Sequence, residues 1–169
     1  MRNEYLVTFN EELELLEKLR NTLLGAGVNS KNTIIVTVST DYSSVVGQYL
    51  RHQLTKDGEI CDGFGIDVPY PDETWSDEYI SRVQQMFRMF SSDVKDKTIL
   101  LVEAGVIRGS NYKKVIEIIR QLAVDEPIAT LAMFENVNSK FKSDFVGKYY
   151  NDDEEDLTFW WERYNKHWQ

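Results

Sequence analysis

Nine residues, Glu103-Ala104-Gly105-Val106-Ile107-Arg108-Gly109-Ser110-Asn111, gather an acid, two glycines, a guanidinium, a hydroxyl and an amide directly after the apolar run Ile99-Leu100-Leu101-Val102. A strand ending in an acid, then a glycine-bearing loop and a helix opening at Ser110 or Asn111, is an arrangement that can cradle phosphate. Successive N–H groups at a helix start point at one spot, the positive end of the helix dipole favours an anion, and hydroxyl and amide side chains add donors. Arg108 lies inside the stretch, and Lys113 and Lys114 follow one turn on. Glu103, at the strand end, has the chemistry to hold a ribose hydroxyl or a Mg²⁺ ion. The same spacing also suits an ordinary strand-to-helix turn with no ligand.

The elements that must position this loop are legible in the hydrophobic pattern. From Asn10, a candidate cap, Leu13, Leu16, Leu19 and Leu23 recur at helical spacing until Gly25 and Gly27. Thr33-Ile34-Ile35-Val36-Thr37-Val38 is a β-branched run that reads as a buried strand. The turn Ser39-Thr40-Asp41-Tyr42 then leads into a helix carrying Val45, Val46, Tyr49, Leu50 and Leu54. Ser76, Asp77 and Glu78 open a further helix with Val83 and Phe87 on its apolar side. Residues 98–102 form a second buried strand, residues 103–110 a loop, and residues 111–123 a helix with Val115, Ile118, Ile119 and Leu122 inward. Residues 127–134 and 157–161 supply two more strands. Strands alternating with helices predict an α/β fold, doubly wound, its mostly parallel sheet flanked by helices. Ligands of such sheets sit beyond the carboxyl ends of the strands, which puts residues 39–42 and 103–110 in one candidate site.

Residues 56–75 break every period. Gly58, Gly63, Gly65, Pro69 and Pro71 interrupt them, and Phe64, Tyr70 and Trp75 add aromatics. A long irregular insertion reads either as a lid over a site or as a loop that its aromatics pin to the core.

At 169 residues the chain is expected to form a single domain spanning residues 1–169. Its 19 basic and 28 acidic residues leave a net charge of −9, which excludes a nucleic acid polymer or an anionic membrane as main partner. Asp152-Asp153-Glu154-Glu155-Asp156 supplies much of that excess, whereas residues 101–120 are locally basic. The single cysteine, Cys61, excludes an internal disulfide framework. No apolar run approaches the ~20 residues of a membrane span, and the N-terminus lacks a signal-peptide pattern, so the expectation is a cytoplasmic protein. His52 and His167 are too far apart in sequence to suggest a metal pair.

The stretch from Ile99 to Asn111 resembles the phosphoribosyl pyrophosphate (PRPP) motif of type I phosphoribosyltransferases, in which apolar strand residues lead to two acids and a loop entering a helix. Two further segments fall in the same order. Residues 34–42 resemble the strand and loop that contact pyrophosphate. Ser143-Asp144-Phe145-Val146-Gly147 and Leu157-Thr158-Phe159-Trp160-Trp161-Glu162 resemble the base-site segments of purine, xanthine and hypoxanthine enzymes. The resemblance implies Mg²⁺-dependent transfer of phosphoribosyl from PRPP to a nitrogenous base. Glu103 would be catalytic and hold ribose hydroxyls or the metal, directly or through water. Ile107, Arg108, Gly109, Ser110 and Asn111 would hold the 5′-phosphate, Ser39, Thr40, Asp41 and Tyr42 the pyrophosphate, and Phe145, Val146 and Trp161 the base. It also implies a homodimer, and a hood or flexible loop at residues 56–75.

The chain departs from the family pattern at telling positions. Ala104 replaces the second acid, Ile107 stands where purine enzymes often have an Asp, and Thr40 and Asp41 stand where glycines are usual. Phe134 and Glu135 lie near where a Lys reads the 6-oxo group of purines. Two readings therefore stand beside each other: a phosphoribosyltransferase, or a module of that fold that binds a nucleoside monophosphate, PRPP or a protein without catalysis. A third is a doubly wound domain with no anionic ligand.

Overall fold

A largely apolar run without polar alternation suits a strand covered on both faces. The computed structural model, which describes residues 3–38, 42–69 and 74–160, sets two such runs side by side, β2 (Thr33–Val38) and β4 (Thr98–Val106). They are parallel, with Thr33 opposite Thr98 and Thr37 opposite Val102. β5 (Ile128–Asn136) pairs with β4, β6 (Phe145–Tyr150) with β5, and β3 (Gly63–Ile66) with the outer side of β2. The order is β3-β2-β4-β5-β6, parallel throughout.

Alternate strand residues feed two cores. Ile35, Leu100, Val102 and Leu131 meet Leu16, Leu19 and Leu23 of α1 (Phe9–Gly25) and Val46 and Leu50 of α2 (Tyr42–Gln53). Ile34, Val36, Ile99 and Leu101 meet Val83 and Phe87 of α3 (Asp77–Met89) and Val115, Ile118 and Ile119 of α5 (Ser110–Gln121). A short helix, α4 (Ser91–Val94), precedes β4. This is the expected doubly wound α/β arrangement.

Besides β6, which is absent from the strands read in the sequence, four local features differ from the sequence expectation. α1 starts before Asn10: Thr8 is its cap and accepts the Glu11 N–H at 3.2 Å, which leaves Phe9 in the first turn. β4 runs on to Val106 instead of ending before Glu103, because β5 continues to pair with it, Gly105 opposite Phe134 and Val106 opposite Glu135. The stretch expected to be irregular, residues 56–75, contains β3. There Phe64 stacks on Phe90 at 4.6 Å and meets Phe87 edge-on at 5.2 Å, while Trp75 packs against the same core. Phe64 and Trp75 therefore pin the segment to the core, and Tyr70 lies outside the described residues.

The fourth difference is a second, two-stranded sheet. β1 (Asn3–Val7) pairs in parallel with β7 (Glu155–Phe159), Asn3 opposite Glu155 and Val7 opposite Phe159. Tyr5 and Phe159 both meet the Phe134 ring edge-on, at 6.4 and 5.7 Å, so this sheet is anchored near the carboxyl end of β5.

Candidate functional site

Because β2 and β4 are parallel neighbours, the chain leaves both at the same edge of the sheet. The two expected phosphate-contacting loops therefore arise side by side, as adjacent parallel strands require. Of the first, Ser39, Thr40 and Asp41 lie outside the described residues, and Tyr42 is the first residue of α2. Ser43 ties this helix to β4: its Oγ accepts the Ala104 N–H at 3.1 Å, with both residues buried.

Gly109 shapes the second loop. It sits at the start of α5 in the left-handed region, φ 69°, and no side chain caps the helix. A Cβ at this position would lie 2.2 Å from the Cβ of Phe141, so only glycine suits both the turn and the clearance. Phe141 comes from the loop between β5 and β6, and its ring also leans on Tyr112 at 5.3 Å. α5 thus opens with uncapped N–H groups at the exposed Ser110, two residues after the exposed Arg108. Lys114 is paired with Glu117 at 2.9 Å, and Arg120 donates to the Val124 and Glu126 carbonyls, so the basic charge nearest the loop is that of Arg108 and Lys113.

Glu103 is only 8% exposed. Among the described residues one side chain hydrogen-bonds to it, Asn111, whose Nδ2 donates to Oε1 at 3.4 Å. Burial pushes the Glu103 carboxyl up to about 8, and the Asn111 bond only partly offsets it. At neutral pH this acid is mostly uncharged. Ala104, where a second acid was looked for, packs into the core on the α2 side of the sheet. The structure thus brings together Glu103 and residues 107–111, through the Asn111 link and the short turn after Val106.

Two of the expected base contacts, Phe145 and Val146, lie on β6. Phe145 opens β6, level with Leu131 and hence with Val102, and its ring packs half-buried against the core under α1. Val146 is half-buried beside it, and Trp161 lies outside the described residues. Asp144 turns the chain into β6 by accepting the Thr130 N–H and hydroxyl at 2.8 and 2.9 Å. Ser43 and Phe141 escape the sequence reading, and so does the structural role of Glu135. Glu135 is fully buried, accepts the Ser143 N–H at 2.8 Å and faces Lys142 at 3.6 Å, which holds the loop that carries Phe141. The only trace of it in the sequence is an acid in the apolar run Leu131-Ala132-Met133-Phe134-Glu135.

No family model matches the sequence, and no curated protein matches it either. Solved structures do. A xanthine-guanine-hypoxanthine phosphoribosyltransferase of Helicobacter pylori superposes with a TM-score of 0.68 over 99% of this chain and 98% of its own, at 17% identity. A purine phosphoribosyltransferase of Pyrococcus horikoshii gives 0.66 over 94% of each chain, also at 17% identity. A hypothetical protein of Neisseria gonorrhoeae with bound ppGpp gives 0.64 over 98% and 96%, at 14% identity. The chain has the fold of the type I phosphoribosyltransferases.

Proposed function

We propose that this chain binds a ligand built on ribose 5-phosphate, a nucleoside monophosphate or PRPP, with the phosphate on residues 107–111. The observation that carries the reading is the left-handed Gly109 under Phe141, which sets the uncapped start of α5 directly after the exposed Arg108. Backbone N–H groups and a guanidinium around one point are what a phosphate dianion requires. The fold supports the reading, since the Neisseria neighbour carries ppGpp.

The reading we favour stops at binding. Mg²⁺ at a phosphate site keeps several waters and is held by one or two carboxylates together with substrate phosphate oxygens. Glu103 is buried and largely protonated, and the following position is an alanine packed into the core. Among the described residues no group of three or more His, Cys, Asp or Glu gathers that could hold a metal. Among the described residues the carboxyl group at this loop, Glu103, is therefore a poor magnesium ligand, and we assign no step to the metal. A second reading, phosphoribosyl transfer from PRPP to a nitrogenous base, is favoured by the fold together with the phosphate loop at its expected place.

Calorimetry with PRPP and with nucleoside monophosphates, beside a pyrophosphate-release assay over a panel of bases with and without Mg²⁺, separates the two. Binding that Arg108→Gln weakens, without release of pyrophosphate, is the expected result. Release with any base would establish transfer. No binding of either ligand would sink both readings.

A further inference from the structure

We infer that the groove between α2 and the edge strand β3 is a second anion site, which takes a phosphate-sized oxyanion on the Arg51 guanidinium with help from Gln48 and Ser44. β3 lies on the opposite side of β2 from β4, so this groove is separate from the loop of residues 107–111. Its floor is made by alternation. Phe64 and Ile66 of β3 turn into the core under α3, which leaves Gly63 and Gly65 facing α2 with no side chain.

A Cβ on Gly65 would sit 3.0 Å from the Thr37 hydroxyl, and one on Gly63 would be 3.0 Å from Cδ of Arg51, so side chains here would fill the space. The wall is α2, drawn down onto β2 at Gly47, where a Cβ would lie 2.1 Å from Cγ2 of Thr37. Ser44, Gln48 and Arg51 recur at the spacing of one helix face and overhang the glycines, enclosing a cavity of about 180 Å³.

The chemistry of the lining is one-sided. Ile35, Thr37, Ser44, Gly47, Gln48, Arg51, Gly63, Phe64 and Gly65 include one cation and no carboxylate. In a chain with nine more acids than bases, Arg51 pairs with no carboxylate among the described residues. Its Nε donates to the Cys61 carbonyl at 2.9 Å, which fixes the guanidinium plane at the groove, and Nη1 lies 3.4 Å from Oε1 of Gln48. Nη2 and the Gln48 amide nitrogen remain as donors. A planar fork with a side-chain amide beside it is a recognition unit for an oxyanion.

Phosphate or a carboxylate would satisfy the same donors, so the test titrates the full chain separately with inorganic phosphate and with malonate and follows the backbone amide signals of Gly63 and Gly65. Saturable shifts at these glycines are expected to persist in Arg108→Gln and to weaken roughly tenfold or more in Arg51→Gln. Gly65→Val, which fills the groove and leaves Arg51 in place, should abolish the saturable shift at Gly63 even if Arg51→Gln fails to fold. Tighter binding of phosphate than of malonate marks a phosphate source, and the reverse marks a carboxylate. The site is refuted if neither anion moves the glycines, or if Gly65→Val leaves the shift at Gly63 unchanged.

Discussion

Phe141 lies directly across Gly109: a methyl group on the glycine would come 2.2 Å from the Cβ of Phe141. The loop between β5 and β6 therefore shapes the turn into α5, two strand connections that meet only in the folded chain. Gly109→Ala should lower stability by about 2–3 kcal/mol in urea denaturation, from the left-handed backbone and the displaced ring together. In a Phe141→Gly background, which removes the Cβ that makes the closest contact, the steric part disappears, so the same substitution should cost about 1 kcal/mol. Equal losses in the two backgrounds would show that the contact does not shape the loop.

Glu103 predicts how stability depends on pH. Its carboxyl titrates near 4.5 when the chain is unfolded and at about 8 when folded. Between these values the folded state holds a proton that the unfolded state has lost, so stability falls as pH rises through the window and is flat beyond it. Other groups aside, the loss should be on the order of 3–5 kcal/mol between pH 4.5 and 8. Glu103→Gln, neutral at every pH and able to keep a partner in Asn111, should flatten the slope and be the more stable protein at pH 8. A variant that tracks the wild type across the window would place a charged Glu103 in the fold.

How far the sequence goes is clearest at β2 and β4. Short β-branched runs such as Ile34-Ile35-Val36 read as strands buried on both faces, and the change from apolar run to Glu103, Arg108, Gly109 and Ser110 marks where the ligand loop begins. What local pattern could not reveal depends on pairing at a distance. Ala104 and Gly105 have little strand propensity, and their conformation comes from β5 alongside. β3 is hidden because half of it is glycine. β1 and β7 recognise each other across nearly the whole chain. The site divides in the same way: residues 107–111 are readable, while Phe141, Ser43 and Glu135 reach it only through tertiary structure.

Ser43 and Ala104 decide whether a second acid can be restored. The Ala104 N–H is committed to the Ser43 hydroxyl, and the methyl group, 4% exposed, packs in the core. Ala104→Asp would bury a carboxylate there, and it should destabilise the protein by about 3 kcal/mol or more without producing pyrophosphate from PRPP. Ser43→Ala strands a buried N–H and should cost about 1–3 kcal/mol. A stable, active Ala104→Asp protein would reverse the favoured reading of the site in favour of transfer.

Trp160 closes the end of the described chain onto α1 by donating its indole N–H to Oε2 of Glu12 at 2.8 Å, while Phe9 meets the ring edge-on at 5.6 Å. Glu12 is 3% exposed, and burial raises its carboxyl above the usual range against the opposing pull of that hydrogen bond. Trp160→Phe keeps the ring contact and removes the donor, so the charged form of Glu12 loses its partner. Stability should drop by about 1–3 kcal/mol at pH 7. Near pH 4, where the carboxyl is protonated in both states, the drop should be much smaller. Glu12→Gln should remove this dependence on pH, because a neutral amide gives position 160 no charge to stabilise. A Trp160→Phe loss of the same size at both pH values would assign the contribution of Trp160 to packing alone.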